Sequence, residues 1–111
     1  MTERQVDIER VFDALGDPRR RALLELLREG PQSVSKMAGP LKITLTAVGQ
    51  HLDILEACGL VATEKVGRVR TCQLASKGLD ALEEWVRAHR TEWERRLDGL
   101  ATILEEEGAD E

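Results

Sequence analysis

In the last third of the chain Leu79, Leu82, Val86, His89, Trp93, Leu97, Leu100 and Leu104 follow one another at steps of three or four. That spacing is the rhythm of a helix with one long apolar seam, and it predicts a single helix over residues 76–107, capped by Ser76. A chain of 111 residues builds one domain with a modest core, too small to cover such a stripe, least of all one that contains Trp93. The seam therefore requires a second copy of the chain. Near the start, Ile8, Val11, Phe12 and Leu15 at i, i+3, i+4 and i+7 predict a first helix over 5–15, whose stripe joins the pairing. The expected interface is Ile8, Val11 and Phe12 together with Leu82, Val86, His89, Trp93, Leu97 and Leu100. Residues 108–111 are expected to form a disordered tail.

The stretch Leu41–Leu60 reads as a short turn feeding a capped amphipathic helix. Thr44 is placed to accept a free amide of the first turn, and Gly59 stands where a left-handed residue ends a helix, which predicts a helix over 44–58. At 100° per residue Leu45, Val48, Leu52 and Leu55 gather on one side, while Thr46, Gln50, Asp53, Ile54 and Ala57 face away. The second side is short and almost uncharged, unlike a face that only meets water. Small hydroxyl and methyl groups, with an amide such as Gln50 able to bond adenine twice, are what a helix entering the DNA major groove needs. By itself the same pattern also suits ordinary packing.

Around this helix the chain punctuates itself. Asp17-Pro18 supplies a cap and a proline at the first helical position of a second helix, which runs to about Glu29 and stops at Gly30-Pro31. Its opening Arg19-Arg20-Arg21 either touches phosphate or pairs with nearby acids. Ser33 caps a short third helix, about 33–39, ended by Gly39-Pro40. With the Leu41-Lys42-Ile43 connection and the 44–58 helix, this completes a helix-turn-helix over 33–58. Residues 60–66 and 69–75 then read as two strands with Gly67-Arg68 at the tip, and Lys65, Arg68 and Arg70 make that tip cationic. Such a hairpin is a wing able to reach phosphate or the minor groove, or else an edge whose charges discourage aggregation.

The net charge of −5 argues at first against a nucleic-acid partner, but residues 17–75 hold nine basic against six acidic side chains. The basic part contains the offered helix. The two cysteines, Cys58 and Cys72, form no Cys-x-x-Cys pair; the strand pairing sets Cys72 opposite Thr63, so a disulfide between them needs rearrangement. No charged start precedes an apolar run and no stretch approaches a membrane span, so a cytoplasmic protein with no membrane partner is expected. No phosphate-cradling glycine loop and no nucleophile with a recognisable base stand in the chain, which argues against an enzyme.

Phe12-Asp-Ala-Leu-Gly-Asp-Pro-Arg-Arg-Arg21, Ala47-Val-Gly-Gln-His-Leu-Asp-Ile-Leu-Glu-Ala-Cys-Gly-Leu-Val61 and Gly67-Arg-Val-Arg70 together resemble the ArsR family of winged helix-turn-helix repressors. The resemblance covers nearly the whole chain. It implies a mainly α fold with a small β-hairpin, five helices and a two-stranded wing over 60–75, and a single domain over 1–111 that dimerises through its first and last helices. It further implies a homodimer that binds a palindromic double-stranded DNA operator and represses.

Carried over by position, the likeness implies DNA contacts from Thr44, Thr46, Ala47, Gln50 and His51 on the helix, and from Arg68 and Arg70 on the wing. His51 either bonds a phosphate or is a boundary histidine. Two departures stand out. Gly49 occupies a place where the family often has serine, and Asp53 on the offered side either meets a cytosine amine or is solvated. Metal-sensing members carry Cys-x-Cys in the third helix, where this chain has Ser33-Val-Ser-Lys-Met-Ala38. On the last helix His89 and Glu92 fall short of a ligand set. No metal and no cofactor are therefore expected, and no inducer is specified. Three rivals remain: an inducer site at the seam near Trp85, His89 and Trp93, a redox switch at Cys58 or Cys72, and a protein-interaction module that has lost DNA binding.

Overall fold

The computed structural model describes residues 6–109. Helix α1 (Ile8–Leu15) opens on Asp7, whose carboxylate accepts from the Glu9 amide at 3.0 Å. The expected start at residue 5 lies outside the described residues, and residues 6 and 7 precede the helix because Asp7 turns the chain into it. Helix α2 (Pro18–Leu26) has Asp17 as its cap, bonded to the Arg19 amide at 2.8 Å, and tightens into a 3-10 turn over Leu27–Glu29. Gly30, at φ +132°, then reverses the chain.

Strand β1 (Gln32–Ser33) was not legible in the sequence, since two residues show no alternation. It makes the wing part of a three-stranded antiparallel sheet in the order β1-β3-β2, a correction to the two-stranded expectation. Helix α3 (Val34–Leu41) runs through Gly39-Pro40 rather than ending there. A proline in the last turn forfeits one hydrogen bond and keeps a helical φ, so it does not stop the chain. Lys42 does, in the left-handed conformation at φ +54°, with the Ile43 amide reaching back to the Ala38 carbonyl at 3.3 Å. Ser33 holds the cap position, but its hydroxyl makes no capping bond.

Helix α4 (Leu45–Ala57) keeps both expected ends. The Thr44 hydroxyl accepts from the Ala47 amide at 3.1 Å, and Gly59 is left-handed at φ +77°. The Leu60 amide bonds the Leu55 carbonyl at 3.0 Å and the Gly59 amide bonds the Glu56 carbonyl at 3.1 Å, the paired closure of a helix by a glycine. Strands β2 (Val61–Val66) and β3 (Val69–Leu74) pair with Thr63 opposite Cys72, as the spacing predicts. Gly67, at φ +62°, makes the two-residue turn.

Helix α5 (Lys77–Ala109) is about 50 Å long at 1.5 Å per residue. It is helical through residues 108 and 109, where a tail was expected; residues 110 and 111 lie outside the described ones. Its first turn is seated on the end of α4, where the Gly78 amide bonds the Gly59 carbonyl at 2.8 Å. A Cβ on Gly78 would stand 2.6 Å from the Cys58 carbonyl oxygen, so this joint admits only glycine.

The core is built from Val11, Ala14, Leu23, Leu27, Val34, Met37, Val48, Leu52, Leu55, Cys58, Leu60, Val61 and Cys72, and α5 contributes only the partly buried Leu82 at its edge. From Arg90 to Gly108 every residue of α5 is exposed. None of the described helices is long and apolar enough to cross a membrane.

Candidate nucleic-acid interface

Helix α4 is held by Val48, Leu52 and Leu55, all fully buried. The fourth residue assigned to that side, Leu45, is instead 54% exposed. It is the first residue of the helix, and side chains there lean back past the helix end, off the core. Leu45 therefore joins the exposed rim beside Thr44, Thr46 and Gln50, with Ala47 and Gly49 half-buried between them. Exposure, not periodicity, reveals it. A Cβ on Gly49 would meet nothing within 4 Å, so no neighbour in this chain needs a glycine there.

Thr44 uses its oxygen to accept from Ala47 and keeps its hydroxyl proton for an outside acceptor. His51 is half-buried and its Nδ1 is shut inside without a partner, so any phosphate contact falls to Nε2. The imidazole lies toward the start of α2. There the Arg19 amide holds the Asp17 carboxyl below the usual range, against a smaller opposing effect of burial, and Arg20 and His51 also lower it.

Arg20 and Arg21 are not offered to phosphate. Arg20 donates from Nε to the Ala14 carbonyl at 2.8 Å and from Nη2 to the Asp13 carbonyl at 2.9 Å, and Arg21 donates to Leu15. They close the C-terminal end of α1, where carbonyls are left over and cations are favoured. Of the triplet, Arg19 is exposed.

On the wing, Arg68 sits in the exposed tip, flanked by exposed Val66 and Val69. Arg70 departs from its expected use, because its side chain turns inward to α4, with Nη2 3.1 Å from Asp53 Oδ1 and 3.8 Å from Glu56 Oε2. Asp53 is accordingly paired rather than merely solvated. The hairpin's alternation explains the turn, since Arg70 shares a face with buried Cys72.

Along the seam, Phe12 meets Trp85 edge-on at 4.9 Å between centroids, and Trp85 stacks on His89 at 4.0 Å. Ile8, Phe12, Leu82 and His89 are half-buried within the chain. Val11 is fully buried and belongs to the chain's own core, so it supports α1 from beneath and offers nothing to a second copy. Val86, Trp93, Leu97 and Leu100 are exposed, as are Leu79, Leu104 and Ile103. Ile103 escaped notice because the three-or-four step passes over it. A strict seven-residue count that sets Leu79, Val86, Trp93 and Leu100 on one row puts Leu82, His89, Arg96 and Ile103 on the next.

Both thiols are free and buried. Burial pushes Cys58 up and raises Cys72 to about 11, opposite to the shift that a reactive thiolate needs. The redox rival loses its support on that ground.

Residues 17–63 match the model of the bacterial regulatory protein arsR family. The chain is 38% identical over 106 residues to the HTH-type transcriptional regulator Rv2034 of Mycobacterium tuberculosis, covering 92% of each. Among solved structures it is similar to an ArsR-like transcriptional regulator from Rhodococcus sp. RHA1, at 35% identity and a TM-score of 0.78, covering 88% of this chain and 90% of that one. It is also similar to a homodimeric winged helix-turn-helix DNA-binding domain from Mycobacterium bovis, a possible ArsR-family regulator. There the identity is 27% and the TM-score 0.61, over 80% of this chain and 82% of that one.

Proposed function

Since the chain belongs to the ArsR family and is a DNA-binding transcriptional regulator rather than an enzyme, we propose that two copies pair through α1 and α5 to repress from a palindromic operator. The observation that carries this reading is the bare outer length of α5, where Trp93 is 61% and Leu97 63% exposed. The bonds within that segment are Arg90–Glu94 and Glu92–Arg96 pairs at 3.1 Å. Each such exposed pair is worth about 0.3–0.5 kcal/mol, too little to hold a 19-residue helix whose apolar side stays in water. A second α5 against it removes that cost, and the homodimeric relative from Mycobacterium bovis lends support.

In such a pair each α4 enters a major groove. Gln50 reads a base edge, Thr44, Thr46 and Ala47 allow close approach, and His51 reaches phosphate through Nε2. Arg68 enters the flanking groove, and its two valines suit the sugar walls of the minor groove. Leu45 is added to this set, since an exposed aliphatic group there fits a thymine methyl. A two-fold pair sets its half-sites about 34–36 Å apart or a multiple of that, and repression follows because the occupied duplex is closed to polymerase. The repressor works in the cytoplasm and needs no metal, since the cysteines are spent in the core and the third helix lacks thiols.

Selection of bound duplexes from a random pool tests this. The expected outcome is an inverted repeat with half-site centres one helical turn, or a multiple, apart. Recovery of direct repeats or of no consensus defeats the palindrome, and binding that does not weaken with salt defeats DNA contact altogether.

A further inference from the structure

Helix α4 contains two carboxylates, Asp53 and Glu56, and no lysine or arginine. Asp53 lies on the side shared by Thr46 and Gln50, where an unpaired negative charge would oppose phosphate. The hairpin answers both carboxylates. Arg70 Nη2 stands 3.1 Å from Asp53 and 3.8 Å from Glu56, and the Thr63 hydroxyl donates to Glu56 Oε2. Thr63 and Arg70 lie on the same face of the sheet, on neighbouring strands. Two donors on the wing thus grip two acceptors one turn apart on the recognition helix.

We propose that Asp53, Glu56, Thr63 and Arg70 form a latch that sets the angle of the wing against α4, and that Arg70 serves DNA binding as a positioning residue rather than by touching phosphate. This rests on the reading of α4 and the wing as the DNA-contacting surface. An ion pair as exposed as Asp53, at 72%, adds little to global stability, so its use is orientation. The hairpin is a lever. From Cys72 in the core to Arg68 at the tip is about 13 Å at 3.3 Å per residue, so a swing of roughly 10° carries Arg68 about 2 Å. That is enough to lose a hydrogen bond to a groove. With the latch closed, Asp53 is neutralised locally and Arg68 is aimed. The phosphate charge count then falls to Arg68 and Lys65, and Arg70 drops out of it.

The test is binding of fluorescent duplex, selected operator and random sequence, across a salt series for Arg70→Gln, Asp53→Asn, their double variant and Arg68→Gln. Urea midpoints near wild type show that each variant is folded. The latch requires Arg70→Gln and Asp53→Asn each to weaken operator binding about tenfold without changing the salt slope, and the double variant to be no worse than either single. It is overturned if Arg70→Gln lowers the slope by about 0.9, which is one lost phosphate contact, or if Asp53→Asn tightens binding by relieving repulsion. Thr63→Val gives a second probe: a smaller loss at unchanged slope is expected, and no loss at all counts against the latch. If Arg68→Gln also leaves the slope at its wild-type value, the wing itself does not meet DNA. The premise then fails, distinguishably from the latch.

Discussion

Helices α4 and α5 are both amphipathic, yet one is finished within the chain and the other is not. Helix α4 buries Val48, Leu52 and Leu55 completely, closes both ends with its own residues and leaves out a small, nearly neutral rim. Helix α5 starts in the same way, docked through Gly78 and Leu82, but continues for 19 exposed residues with the same apolar period and nothing from its own chain beneath it. A surface made to read another molecule is polar and sparse, whereas a surface made to be buried is apolar and periodic. One chain thus supplies the reading head and two chains supply the spacing between heads. The joint at Gly59 and Gly78 connects the two functions directly.

The strongest way to break this contrast is to make the outer half of α5 indifferent to a partner. Trp93→Asp with Leu97→Asp leaves the core and α4 untouched, because neither side chain packs within the chain. The double variant is expected to run as a monomer by light scattering and to keep its near-native melting of the core. Operator affinity should fall by a factor of roughly 10²–10⁴, the advantage that a linked second half-site confers. A stable dimer with full affinity would mean that α5 is not the seam.

A smaller effect sharpens the other side. Gln50→Ala removes the amide from the rim of α4 and should reduce discrimination at one symmetric position of the operator by about 1–3 kcal/mol per half-site, while random duplex is bound as before. Equal weakening on all sequences would reassign Gln50 to the phosphates.

How far these two helices could be read from the sequence follows the same division. The ends of α4 were legible because capping is local: Thr44 and Gly59 act within one turn of themselves. The pairing of Thr63 with Cys72 was legible because a two-residue turn at Gly67-Arg68 sets the register. What escaped depends on neighbours distant in sequence. Val11 has the right spacing for a seam, but the side of α1 on which it sits faces the core. Arg70 has the right charge for phosphate, but its strand face points it at Asp53, 17 positions earlier. The triplet at Arg19 was ambiguous until the open carbonyls of Asp13, Ala14 and Leu15 were seen to need donors. Strand β1 is too short to carry a pattern.

The smallest change is the most discriminating between packing and reading. Gly49 costs α4 about 1 kcal/mol relative to alanine, and within the chain nothing stands where a methyl would go. If the glycine served packing, Gly49→Ala would clash and destabilise; with that space open, the variant is expected to raise the thermal midpoint by a few degrees. If the space belongs instead to the DNA backbone, the same methyl should weaken operator binding severalfold while the fold gains. Stability and affinity would then move in opposite directions from one added carbon. A variant that is both more stable and equally tight would show that α4 approaches its groove less closely than its small residues suggest, and would shift the burden of recognition to Gln50 and the wing.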